Sequence, residues 1–183
     1  VNFYTAPYDT SNKSVDEVTS MIVNEMDKRG FDEFERIDYA FMYVGYLTQY
    51  TEGGARTSEA AGALVDQKAD SLGLAKGFKA ILDKAGIPCI VVTRESLPEN
   101  SGLTPTYQTE KEAWNFVKYN GYWYHAYVLE DREHNVIHPE DPAFTMTIHE
   151  NAFGYSLYSA EFFMNTDNPT EDDLKIYPEL KDM

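Results

Sequence analysis

Along the chain, apolar positions recur at helical spacing three times before residue 86 and then shift to strand spacing. Val15, Val18, Ile22 and Met26 mark one helix face; Ser14 and Glu17 have the form of a capping box ahead of it, and Gly30 supplies the stop. Asp32 opens a second helix, with Phe34, Ile37, Phe41, Val44 and Leu47 along its stripe and Tyr39, Tyr43, Tyr46 and Tyr50 enriching the flanks. These tyrosines read as amphipathic core partners rather than a ligand box. The strongest pattern is DSLGLAKGFKAILDKAGIPCIVV, residues 70–92. Leu74, Ala75, Phe78, Ile81, Leu82 and Ala85 form a buried stripe, Gly86 takes the left-handed position after the last turn, and Pro88 prevents continuation. The β-branched run Ile90, Val91, Val92 then predicts a strand over residues 87–94.

Between these elements, TEGGART at residues 51–57 reads as a connection; no Gly-Lys-Ser/Thr follows its glycines, so it is no phosphate loop. A short helix is expected over residues 58–65, then a turn over 66–70 that presents Ser71. Residues 95–109 carry Pro98, Gly102 and Pro105 without periodicity and predict a loop. Alternation over 112–119 and 122–130 around Asn120-Gly121 predicts a hairpin with a type I′ turn, with Trp123, His125 and Tyr127 on one face of the return strand. Beyond it, a bend over 131–135, a helix near 159–164 and another from Thr170 are expected, with a frayed tail after Tyr177. The fold class is α+β: N-terminal helices and a central buried helix packed on an antiparallel sheet, in a single domain over residues 1–183.

Charge narrows the partners. Asp plus Glu number 31 against 15 Lys plus Arg, a formal net charge of −16, which repels nucleic acid and anionic membrane. No apolar run reaches the length of a membrane span, and VNFYTAPYDT lacks a charged-then-apolar leader, as a mature or excised fragment also would. The single cysteine, Cys89, cannot form an internal disulfide and sits among strand-core residues, so it reads as a buried structural thiol. Fourteen Tyr, ten Phe and two Trp on so acidic a chain suit an extracellular or cell-surface protein that binds a protein, a peptide or a carbohydrate.

The chemistry worth testing starts at Ser71, a hydroxyl at a helix N-terminus where free N–H groups favour an anion. Ser71, followed by Gly73 and an aliphatic helix into AGIPCIVV, resembles the transglutaminase-like, papain-like cysteine peptidase domains of bacteria. EAWNFVKYNGYWYHAYV extends the resemblance, since the family's paired strands carry His-Ala-Trp-Asn-x-Val, a turn, then Trp-Tyr-His-x-Asp. On this alignment the family's nucleophilic Cys falls on Ser71, its base His on Glu112 and its orienting Asp on Tyr127. The resemblance therefore implies the fold without the chemistry: a catalytically inactive domain whose former cleft, with Ser71, Glu112, Trp114, His125 and Tyr127, serves binding or structure. Convergence of Ser71, Glu112 and Tyr127, with a hydrogen bond to the Glu112 carboxylate, is the geometric expectation.

Two alternatives stand beside this reading: a serine-dependent acyl hydrolase or transferase using Ser71, and a carbohydrate-binding module using surface Tyr and Trp. A hydroxyl has no appreciable anion near neutral pH, and a carboxylate is a weak base for it, which disfavours the first. Of the histidines, His134 and His138 have His-x-x-x-His spacing, but Asn135 stands where the zinc-peptidase glutamate belongs and Pro139 favours extended chain, so no metal site is expected. No cofactor is indicated. Asn12-Lys13-Ser14 is a glycosylation-type triplet of low information on its own.

Overall fold

The computed structural model describes residues 9–103, 112–126 and 169–182. Helix α1 (Val15–Arg29) starts on the expected capping box: the Glu17 N–H donates to Ser14 Oγ at 3.1 Å, and the Ser14 N–H to Glu17 Oε1 at 3.2 Å. Gly30 closes it at φ 67°. Helix α2 (Glu33–Leu47) repeats the device with Asp32 and Glu35. Helix α3 (Ser71–Ala85) is capped by Asp70 and ends at Gly86, φ 78°. Its stripe of Leu74, Phe78, Ile81 and Leu82 is buried, against α1 and α2 on one side and the sheet on the other. Phe78 meets Phe41 of α2 edge-on, centroids 5.9 Å apart.

The main sheet is antiparallel, in the order β3 (Cys89–Thr93), β4 (Ala113–Tyr119), β5 (Tyr122–Ala126). Asn120 and Gly121 carry φ of 50° and 85°, the two left-handed positions of the predicted hairpin turn. Alternation divides the sheet's side chains between two cores. Cys89, Val117 and Ala126 join the α1–α2–α3 core, while Ile90, Val92, Trp114, Phe116 and Trp123 form a second one. Mixed helix and antiparallel sheet is what the α+β reading predicts. The continuation of β5 to residue 130, the bend over 131–135 and the helix near 159–164 lie outside the described residues.

Three expectations are corrected. The helix over residues 58–65 is instead a π-helical turn, Gly62–Asp66, whose exit residue Gln67 is left-handed at φ 57°. A parallel pair, β1 (Gln49–Tyr50) with β2 (Lys68–Ala69), brackets the Gly-rich loop in place of a plain connection and turn. Two-residue strands are too short to leave a periodicity, and a π turn shares the composition of an α turn. The tail is not frayed: helix α4 (Glu171–Ile176) leads into a 3₁₀ turn, Pro178–Asp182, and Leu180 is fully buried in the second core. Asp173 fixes this segment, accepting from Ser101 Oγ at 2.7 Å, the Gly102 N–H at 2.9 Å and the Thr170 N–H at 2.9 Å.

Candidate functional site

The first turn of α3 is held from outside the helix. Asp70 Oδ1 accepts the Gly73 N–H at 2.9 Å, Oδ2 accepts the Ser58 hydroxyl, and the Asp70 N–H donates to the Thr57 carbonyl at 2.9 Å. The approach segment is thereby pressed onto the helix. A Cβ at Gly73 would stand 2.0 Å from the Thr57 carbonyl oxygen, which is why glycine follows two places after Ser71. In this setting Ser71 is 7% exposed, and no hydrogen bond engages its hydroxyl among the described residues.

The sheet is fastened to α3 by a residue that alternation alone does not single out. Asn115, in the middle of β4 and 1% exposed, donates through Nδ2 to the Ala75 carbonyl of α3 at 2.9 Å and to the Ile90 carbonyl at 3.2 Å, with Cys89 Sγ at 3.6 Å. The available signal is a polar amide in the inward phase of an otherwise apolar strand: such a group has to find partners to be buried. Cys89 beside it is a free, buried thiol, as expected, and burial pushes its pKa well up from the ordinary thiol value.

Of the candidate residues, Ser71, Glu112 and Trp114 have described side chains. Glu112 is exposed just before β4, its carbonyl accepting the Arg94 N–H at 2.8 Å, and no hydrogen bond joins it to Ser71 among the described residues. The expected lock between the Ser71 hydroxyl and the Glu112 carboxylate is thus not formed; Glu112 remains hydrated instead of needing a buried partner. Tyr127 lies outside the described residues. His125 pairs in register with Phe116, and nothing beyond its backbone is described. Trp114 is 1% exposed in the second core, with the Arg94 guanidinium 5.7 Å from the ring centroid, so it faces away from α3 rather than toward a cleft. Alternation requires this: Asn115 takes the phase that points at α3, and Trp114 must take the other.

Among the described residues, few aromatic rings are exposed for a sugar to stack on. Both tryptophans are buried; the exposed tyrosines among the described residues are Tyr50 and Tyr122. Tyr39 and Tyr43 are core residues, as predicted. His134, His138 and His149 lie outside the described residues, among which no group of His, Cys, Asp or Glu side chains is placed to hold a metal. No helix among the described residues is long and apolar enough to cross a membrane.

A cavity of about 910 Å³ lies not over Ser71 but beside the approach segment, between the turn at residues 11–13, the Gly-rich loop and β2. Among solved structures, one described as the crystal structure of a TGase is similar to this chain, with a TM-score of 0.47 and 16% identity, over 73% of this chain and 37% of that one. The chain therefore spans well under half of that neighbour's length. No protein-family model and no curated protein matches the sequence.

Proposed function

We propose that this chain is a single transglutaminase-like domain of bacterial type that has lost the family's thiol chemistry and serves binding or structural support, in a protein working outside the cell or on its surface. The observation that carries the reading is the state of Ser71. It stands on the first turn of a capped, buried helix, where the resemblance puts the nucleophile, yet it is almost fully buried and has no base bonded to it among the described residues. A nucleophile needs both access and a base within hydrogen-bond reach. Glu112, the residue at the base position, is exposed, and a carboxylate is a weak base for a serine hydroxyl. The scaffold features that accompany this site, the AGIP exit from α3, the Asn115 fastening and the hairpin, support the same reading.

The test is enzymatic. Amine incorporation into glutamine-containing peptides and hydrolysis of peptide and ester substrates stay at background, and a serine-directed fluorophosphonate leaves Ser71 unlabelled. Any turnover that disappears in Ser71→Ala refutes the proposal and establishes an acyl hydrolase or transferase instead.

A further inference from the structure

The chain carries about twice as many acidic as basic residues, yet three of its basic side chains, Lys13, Arg56 and Lys68, line the cavity of about 910 Å³ beside the approach segment, with Asp66 as the sole carboxylate among the described residues of its wall. That carboxylate is already engaged. Arg56 Nε donates to Asp66 Oδ2 at 2.9 Å and Nη2 to Oδ1 at 2.5 Å, and these bonds hold the Asp66 carboxyl below its usual pKa. Lys13 and Lys68 form no direct ion pair among the described residues; Lys68 lies in the field of Asp66 and Lys13 in that of Asp9, whose carboxylate accepts the Ser11 N–H at 3.0 Å. The cavity thus carries two ammonium groups and one fixed guanidinium against the single wall carboxylate of Asp66, with Asp9 close to Lys13.

The backbone around the cavity is built in an unusual way. Asn12 and Gln67 are left-handed non-glycine residues, at φ 60° and 57°, and Asp66 is the last residue of a π-helical turn. Such conformations persist where surrounding contacts enforce them. Those contacts are present. The buried Thr10 hydroxyl donates to the Val65 carbonyl at 2.9 Å, tying the turn before α1 to the π turn, and the Arg56–Asp66 pair ties the Gly-rich loop to the same turn. These ties bring Lys13 and Lys68 to one cavity from distant positions in the chain.

We infer that this cavity is a binding site for a small molecule bearing an oxyanion, a phosphate ester or a carboxylate, held by Lys13, Lys68 and the fixed guanidinium of Arg56. The site is an open groove, most of its lining residues being exposed, so the bound molecule stays partly hydrated and its anionic group makes the main contacts. The site goes beyond the silent-cleft reading and shares no side chain with Ser71, Glu112 or Tyr127, so either can fail without the other.

Calorimetric titration of the 183-residue chain at low salt, with pyrophosphate, citrate and neutral glucose, tests it. Expected are saturable one-to-one binding of at least one anion, no binding of glucose, and weakening by added salt. Lys13→Ala with Lys68→Ala weakens the anion about tenfold or more, Lys68→Arg retains it, and Lys76→Ala, an exposed lysine on α3, leaves it unchanged. Tighter pyrophosphate assigns phosphate esters; tighter citrate assigns carboxylates. The inference is overturned by absence of saturable binding up to roughly 10 mM of either anion, or by equal affinity in the double variant, whose fold is checked by circular dichroism.

Discussion

Asn115 offers the sharpest test of how α3 is joined to the sheet. Its amide is a donor aimed at two carbonyl oxygens, Ala75 at 2.9 Å and Ile90 at 3.2 Å, in a site 1% exposed. Asn115→Ala deletes both bonds and leaves a small void. At about 1 kcal/mol net for each bond and about 1 kcal/mol for the lost packing, the cost is about 3 kcal/mol. Asn115→Asp keeps the shape and removes the donor, placing a carboxylate among carbonyl oxygens. Desolvation and those oxygens raise its folded pKa above the unfolded ~3.9, by up to ~3–5 pH units in full burial.

The sign follows from linkage. A carboxyl whose folded pKa is raised binds more protons in the folded state, so stability is highest below the unfolded pKa and is lost as pH rises toward the folded pKa. Protonated, the introduced carboxyl donates its O–H to one carbonyl, and the variant loses about 1 kcal/mol near pH 3.5. By pH 7 it loses about 4 kcal/mol more, since the unfolded carboxyl is ionised over the ~3 pH units above its pKa of ~3.9 while the folded one still holds its proton, at about 1.36 kcal/mol per unit. Urea unfolding of both variants and the parent at pH 3.5 and 7, taken as differences from the parent at each pH, measures this. Equal destabilisation by Asn115→Asp at the two pH values, or a loss below about 1 kcal/mol from Asn115→Ala, refutes the claim that this amide fastens helix to sheet.

Phe78→Ala removes a fully buried ring packed edge-on against Phe41 and lowers unfolding free energy by about 3–5 kcal/mol in the same urea assay; a loss under about 1 kcal/mol would mean that the site collapses freely. Gly73→Ala drives a Cβ to 2.0 Å from the Thr57 carbonyl oxygen, so the approach segment or α3 has to shift, at a cost of about 1–3 kcal/mol or more despite alanine's better helix propensity. A stabilised variant would show that the close approach is not maintained in solution. Cys89, buried and with its thiol pKa pushed up, stays unmodified by Ellman's reagent at about pH 8 in the folded chain and reacts fully in denaturant; rapid native labelling would contradict its burial.

Which elements are legible in the residues and which are not follows from range. Helix starts are local chemistry: Ser14 with Glu17 and Asp32 with Glu35 satisfy the first-turn N–H groups within four residues, so the pattern alone places α1 and α2. Gly86 before Pro88, and Asn120-Gly121, are likewise local solutions to a required backbone angle. The π turn at Gly62–Asp66 and the pairing of β1 with β2 are not local. They depend on Gly62 lying where a Cβ would stand 2.1 Å from the Arg56 carbonyl oxygen, and on residues 49–50 meeting 68–69 across the loop. Leu180 in the second core is hidden for the same reason, since one leucine in a polar tail carries no periodicity, and its burial rests on Asp173 and Tyr177 anchoring to Ser101, Gly102 and Ser96.

The candidate site divides along the same line. Ser71 is identifiable because a helix N-terminus is a property of residues 70–75, and the structure places it there. Which of the other candidates face it depends on the phase of β4, and one residue decides that phase. Asn115 needs carbonyl partners and finds them on α3 and β3, so Trp114 and Phe116 on either side are turned into the second core, whatever surface a tryptophan in an aromatic-rich acidic chain is expected to serve. A buried amide with two bonds to satisfy outweighs the preference of any single aromatic for a rim position, because leaving the amide unpaired costs about 1–3 kcal/mol, whereas burying the indole gains free energy. Energetic priority at Asn115 therefore orients β4 where it packs on α3.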